Sequence, residues 1–269
     1  MINWDELRSR RVAYHIPGMD RVNVTTNLTY KSVDGIQLTL DVYHPLDNQP
    51  VSQRPAVIFV HGDAPVMDLK DWGQYVGWGQ LVAASGLAGI TFNHRSSQRF
   101  TKLPEVASDV DDLIRYVRDN HETLKVDRDS VCIWTCSAGG PAALRAAIRG
   151  SGKFVRCIVA LYTYLNLQHL RKDIAPAVSD DALREFSPLT YLRRNPQGIA
   201  PMFVVRAGLD RPALNESSDQ FVCEASRQNI SIEFVNYPDG QHGFDTRDDN
   251  ERSRAIIRRA IDFMKAHLG

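Results

Sequence analysis

An open, mostly parallel β-sheet with helices on both faces (class α/β) is the fold that this 269-residue chain predicts, and three features carry the prediction. Short apolar stretches of strand length alternate repeatedly with longer stretches of helical periodicity, the signature of strands joined by crossover helices. The stretch at 56–60, Ala-Val-Ile-Phe-Val, is continuously apolar, as a strand covered on both faces must be. The run 131–140 passes from a β-branched strand straight into an Ala-rich helix, a junction that forces one residue out of both elements.

Taken in order, alternation at 22–25 and 28–31, and again at 36–43, predicts paired strands about the turn Val33-Asp34-Gly35, since Gly takes positive φ without a Cβ penalty. The buried strand at 56–60 follows, then a helix at 75–84 and a strand at 87–92. Residues 103–120 form a helix with Val106, Val110, Leu113, Ile114 and Val117 on one side. A strand at 130–135, a helix at 139–148 and a strand at 154–160 come next. Strands at 201–205 and 230–237 and helices at 215–228 and 251–266 complete the pattern.

Only residues 162–197 break the alternation, with Leu165, Leu167, Leu170, Leu189 and Leu192 set among charges and prolines. The segment is too short for a domain of its own. The chain is therefore read as one domain over 1–269, with 162–197 a small helical, cap-like insertion at one end of the sheet, near the active site. The loop 63–72, followed by Tyr75 and Trp78, is the second stretch placed to shape a site.

Composition narrows the classes of function. At 43% hydrophobic and 24% charged, a chain of this length buries roughly three quarters of its surface and needs no disulfide or metal to hold it. Lys plus Arg equals Asp plus Glu at 32 each, so nothing draws it to nucleic acid or to an anionic membrane. Charges from Asp5 to Arg11 stand where a secretory signal would be apolar, and no apolar run reaches about 18 residues. A soluble, cytoplasmic chain is expected. Cys132, Cys136, Cys157 and Cys223 lie in or beside apolar segments without CxxC spacing, which predicts reduced thiols. An edge strand near the amino terminus, or the last strand, offers a route to a homodimer.

The chemistry centres on Thr135-Cys136-Ser137-Ala138-Gly139. In a strand that turns abruptly into a helix, Ser137 would stand above the carboxyl end of the sheet, with the helix amino terminus directing N–H groups toward developing negative charge. The bland reading is a tight junction with a capping Ser. From the strand before His61 to the loop at His242, the sequence resembles the α/β-hydrolase superfamily, particularly its compact esterases and the related dienelactone-hydrolase and peptidase-like branches. The family elbow reads Gly-x-Ser-x-Gly, and Thr135 replaces its first Gly. Dienelactone-type members use a cysteine nucleophile, but making Cys136 the nucleophile would set Trp134 where the turn wants a small residue. Ser137 is therefore the expected nucleophile.

The resemblance carries over to three more segments. His61-Gly62 opens the loop that donates one oxyanion amide in the family, which gives Asp63 or Ala64 as first donor and Ala138 as second. Asp63 departs from the family's Gly, and its acidic side chain must point away or be neutralised. Asp210, after the apolar strand at 202–205 and Gly208, falls where the family keeps the triad acid, though alone it reads equally as a helix cap. His242, in the run Asp239-Gly240-Gln241-His242-Gly243-Phe244, falls where the family keeps the general base. Ser137, Asp210 and His242 follow the Ser, acid, His order of that fold.

The remaining histidines, His15, His44, His94, His121, His169 and His267, lack this context and are read as solvated or structural, and His61 as a turn residue. No HxxxH or HExxH run and no nucleotide-binding glycine pattern occurs, so neither metal nor cofactor is expected. Trp72, Tyr75, Trp78, Tyr162 and Leu165 are the expected pocket walls, fitting a modest apolar acyl group or a short alcohol. The resemblance implies a serine carboxylic-ester hydrolase acting on a small-molecule ester. Amide, lactone or peptide-end hydrolysis by the same triad, and a non-catalytic binding protein on the same fold, are the alternatives.

Overall fold

The computed structural model describes residues 4–46, 53–64, 66–174, 176–194 and 197–269. Among them, eight strands form one sheet: β1 (Asn23–Val33), β2 (Ile36–His44), β3 (Arg54–Val60), β4 (Ala88–Phe92), β5 (Val126–Cys136), β6 (Val155–Leu161), β7 (Met202–Ala207) and β8 (Ile232–Tyr237). Their order across the sheet is β1-β2-β4-β3-β5-β6-β7-β8. Only the pairs β1/β2 and β2/β4 are antiparallel. The other five pairs are parallel, so β3 to β8 end on one edge of the sheet, where the loops that carry the site emerge. The predicted hairpin turn is present: Asp34 and Gly35 both take positive φ, 51° and 76°, the primed turn that matches strand twist.

The helices are α1 (Trp4–Ser9), α2 (Gly73–Ala84), α3 (Leu103–Asp119), α4 (His121–Leu124), α5 (Gly140–Gly150), α6 (Asp180–Phe186), α7 (Pro188–Arg194), α8 (Pro212–Arg227), α9 (Phe244–Arg247) and α10 (Glu251–Leu268). Side chains alternate along each strand and divide the interior in two. Ala56, Ile58, Val60, Val131 and Ile133 pack beneath α3, α5 and α8. Val57, Phe59, Cys132, Trp134 and Cys136 pack beneath α2 and α10. This is the α/β-hydrolase architecture, a mostly parallel sheet with both faces covered.

Differences from the sequence reading have local causes. Helix α8 starts at Pro212, three positions before the expected 215, because Pro is pre-organised for the first helical turn, where its missing N–H costs nothing. Strand β5 starts at Val126, because Arg54 of β3 pairs with it through a register shift. In the segment 162–197, α6 is capped by Ser179, whose Oγ accepts the Ala182 amide at 3.1 Å, and α7 packs on α5 and α8. Leu165, Leu167, Leu170, Leu189 and Leu192 all join the core on that face. Among the described residues, no helix is long and apolar enough to cross a membrane.

Candidate active site

Strand β5 ends at Cys136, a single tight turn spans Ser137–Gly139, and α5 begins at Gly140. Ser137 takes φ 49°, a left-handed conformation that costs a residue with a Cβ free energy and survives only where its surroundings enforce it. They do so through close approach. A Cβ on Gly139 would lie 2.4 Å from the His61 carbonyl oxygen and 2.7 Å from that of Val60, so no larger residue fits the crossing. Thr135 occupies the other small-residue position by donating its hydroxyl to the Val60 carbonyl at 3.1 Å. The Ser137 carbonyl accepts the Thr163 hydroxyl at 2.5 Å and the Tyr164 amide at 3.2 Å, which ties the turn to the end of β6.

Three strand ends bring the expected triad positions together. His242 Nε2 lies 2.9 Å from Ser137 Oγ, and His242 Nδ1 lies 2.5 Å from Asp210 Oδ2. Asp210 sits in the turn after β7, braced by two amides that donate to carbonyls at and just after the β8 end: Gly208 N to Tyr237 O at 2.7 Å and Leu209 N to Gly240 O at 2.9 Å. Its second oxygen accepts the Arg211 amide at 2.8 Å, and its side chain is 4% exposed against 34% for that of His242. The acid is thus enclosed while the imidazole edge meets solvent.

The loop after β3 faces this turn. A Cβ on Gly62 would lie 3.2 Å from Ser137 Cβ and 3.8 Å from the Ala138 amide nitrogen. The Gly62 amide itself is used, donating to the Tyr75 hydroxyl at 3.2 Å. The Asp63 carboxylate turns away into the loop after β4, where it accepts Ser96 Oγ (2.8 Å), the Ser97 amide (2.8 Å), Ser97 Oγ (2.7 Å) and the Arg99 amide (3.2 Å). Four hydrogen-bond donors stabilise its negative charge and keep it turned from the expected oxyanion loop. Ala64, the alternative donor position, is buried on the α2 side.

His61 takes no part in the relay. It is buried, stacked on His94 with ring centroids 3.6 Å apart; its Nδ1 donates to the Gly62 carbonyl at 2.7 Å and its Nε2 accepts the His94 amide at 3.3 Å. Burial, with His94 adding to it, depresses its pKa well below the ordinary value. Cys136 is also buried, and burial pushes its thiol up to about 12. A thiol held protonated is a poor nucleophile.

The expected pocket walls require correction. Trp78 and Leu165 are fully buried and present no surface to a substrate: Trp78 packs against Phe59 and Trp134, and the Leu165 amide donates to Ser217 Oγ at 3.2 Å. Trp72, Tyr75 and Tyr162 are nearly as enclosed, and each uses its polar end internally. Trp72 Nε1 donates to Asp68 at 3.3 Å, and the Tyr162 hydroxyl donates to Asp245 Oδ1 at 2.6 Å. Sequence reasoning missed Asp245, Gln74, Thr163 and the Ser96–Ser97 pair. None carries a local signal, because each acts on a group distant along the chain. Among the described residues, no group of three or more His, Cys, Asp or Glu side chains could hold a metal ion.

The profile of the BD-FAE family matches residues 40–223. Dipeptidyl aminopeptidase BIII of Pseudoxanthomonas mexicana is 29% identical over 227 residues, covering 75% of this chain and 32% of that protein, so the chain spans about a third of the curated relative's length. Among solved structures, the thermophilic esterase Est2 of Thermogutta terrifontis superposes with TM-score 0.74 at 21% identity, covering 92% of this chain and 93% of the esterase. That esterase also matches in its butyrate-bound form and when phosphonylated by sarin. A truncated carbohydrate esterase from gut microbiota superposes with TM-score 0.73 at 19% identity, covering 91% of this chain and 96% of its own. These structures share the fold, and by the extent of the profile match the chain belongs to the BD-FAE family.

Proposed function

We propose that the protein is a serine hydrolase that cleaves carboxylic esters of small acids through an acyl-enzyme, with Ser137 as nucleophile, His242 as general base and Asp210 as the acid that orients it. The observation that carries this reading is the unbroken relay from Ser137 Oγ to His242 Nε2 at 2.9 Å and from His242 Nδ1 to Asp210 at 2.5 Å. With Nδ1–H directed to Asp210, Nε2 takes the hydroxyl proton as Oγ bonds to the ester carbonyl carbon, and the imidazolium returns that proton to the departing alkoxide. Water then enters by the same route and releases the acid. The amide of Ala138, with that of Asp63 or Ala64, stabilises the negative oxygen of each tetrahedral intermediate.

The family and the likeness to esterases, one of them matched with butyrate bound, support a short acyl group. The unpaired state of Cys132, Cys136, Cys157 and Cys223 supports a reducing compartment such as the cytoplasm. A second reading, removal of dipeptides from peptide amino termini, is favoured by the 29% identity to the aminopeptidase. A panel of p-nitrophenyl acetate, butyrate and octanoate beside dipeptidyl p-nitroanilides, run on wild type and Ser137→Ala, decides between them. Acetate or butyrate cleavage that falls at least about 10³-fold in the variant is expected. Turnover confined to the anilides would replace the ester reading with the peptide one.

A further inference from the structure

A fully buried carboxylate lies close to the relay without belonging to it. Asp245, three residues after His242, is fully buried, and the partners of its carboxylate are neutral: Tyr162 OH at 2.6 Å on Oδ1, and Trp78 Nε1 at 2.8 Å and Gln74 Nε2 at 2.9 Å on Oδ2. Gln74 Nε2 also donates to the Tyr162 hydroxyl at 2.9 Å. Burial raises the carboxyl above its ordinary value, and the Trp78, Tyr162 and Gln74 hydrogen bonds offset that only in part. An apolar side chain packed among Trp78, Tyr162 and Phe244 would avoid the desolvation cost, so the carboxylate is an expensive way merely to fill this space.

What the carboxylate holds is Tyr162, the residue immediately after β6. Tyr162 has φ 38°, a strained conformation for an aromatic residue. Its amide donates to the Val205 carbonyl of β7 at 2.9 Å, and its hydroxyl is tethered to Asp245, so its ring is fixed at both ends. That ring meets the His242 imidazole edge to face, with centroids 4.9 Å apart. His242 makes its two hydrogen bonds in the plane of its ring, and a small rotation about its side-chain bonds would break both. The Tyr162 ring is a wall against such a rotation. The same tyrosine hydroxyl acts on the Cys136 thiol, which the Tyr75 hydroxyl meets at 3.5 Å, and Tyr75 in turn accepts the Gly62 amide. A buried polar network thus runs from the His242 loop, beneath Ser137, to the loop after β3.

We propose that Asp245 is a positioning residue for His242, holding the Tyr162 ring so that the imidazole keeps the plane in which it exchanges the proton with Ser137. The inference rests on the reading of Ser137 and His242 as nucleophile and base, but not on which acyl bond is cleaved. Its readout is therefore the second-order rate at which a fluorophosphonate labels Ser137, measured with p-nitrophenyl acetate kinetics and thermal melts. Wild type is compared with Asp245→Asn, Tyr162→Phe and the double variant. Asn retains an acceptor for Trp78 and Gln74, and Phe keeps the ring while cutting the tether.

Each single variant is expected to fold and to lose about 10- to 100-fold in labelling rate and in kcat, with KM within about threefold, as small displacements of a reacting group do. The double variant should lose no more than about threefold beyond the worse single, because both changes break one tether. Wild-type labelling in folded Asp245→Asn would overturn the proposal, as would losses that multiply in the double variant. If Asp245→Asn does not fold, Tyr162→Phe, with the carboxylate in place, decides by the same criterion. A wild type that is labelled but hydrolyses no ester defeats the ester reading and leaves this comparison intact.

Discussion

The carboxylate of Asp63 takes both donors of Ser97, the main-chain amide at 2.8 Å and the hydroxyl at 2.7 Å. Asp63 follows His61-Gly62, and Ser97 leads into Gln98, Arg99 and Phe100, three consecutive residues with φ of 47°, 57° and 71°. Such a run costs roughly 1 kcal/mol or more per residue and needs an external tie to persist. The tie runs both ways: the strained loop holds Phe100 against Tyr164, ring centroids 4.9 Å apart, while its donors hold the loop after β3 beside Ser137.

Asp63→Ala should therefore impair both stability and turnover. Losing the acceptor for four donors is expected to cost about 1–3 kcal/mol in urea unfolding, and kcat on a short ester about tenfold, with Asp63→Asn intermediate. Unchanged stability and turnover in Asp63→Ala would remove the tie from the account.

Two glycines beside the elbow should fail differently. Gly139→Ala places a Cβ 2.4 Å from a main-chain oxygen that cannot yield, and is expected to leave little folded protein. Gly62→Ala meets Ser137 Cβ at 3.2 Å, which a few tenths of an ångström would relieve. It should fold and lose about tenfold or more in kcat, since the displaced residue is the proposed nucleophile. Solubility, urea unfolding and ester kinetics on the two variants separate the cases.

The cysteines predict a labelling pattern. Cys136 is buried with its thiol pushed up to about 12, while Cys223 is exposed. Iodoacetamide near neutral pH should modify Cys223 and spare Cys136 in the folded protein, as mass spectrometry of tryptic peptides would show. Cys136→Ala should keep at least about a tenth of wild-type turnover, where Ser137→Ala keeps almost none.

Stability should fall on mild acidification. Burial depresses His61 and His94 below their ordinary value of 6.5, so both stay neutral in the folded chain while the unfolded chain binds protons. The unfolded state then gains protons as pH drops below about 6.5, and the stability present above that value is lost. Unfolding midpoints between about pH 8 and pH 5 should decline, and His94→Gln should flatten the slope. A slope unchanged in that variant would assign the loss to other groups.

The strand-turn-helix at Ser137 was legible because every cue is local: a β-branched run, small residues at the crossing and an Ala-rich helix. Asp210 and His242 were legible only through the resemblance, which puts the acid and the base in the loops after two late apolar strands; parallel strands with right-handed crossovers end on one edge. The structure brings these three within hydrogen-bonding distance. The pocket walls were not legible. Trp78 and Leu165 look like any aromatic or apolar residue beside a site loop, and only packing reveals that both are fully buried. Asp63 read as a charge in conflict with the oxyanion loop, because its donors lie in the loop after β4.

What this chain determines by itself is the alternation of elements, the hairpin at Asp34-Gly35, the elbow at Ser137 and the strand ends that carry Asp210 and His242. Periodicity and turn chemistry act over a few residues, so a linear reading captures them. Tertiary structure alone decided which polar groups meet. Asp245 finds Trp78 across 167 positions of sequence, and His242 finds Ser137 across 105. A hydrogen bond depends on ångströms of approach, and that distance is set when two faces of one sheet close over their cores.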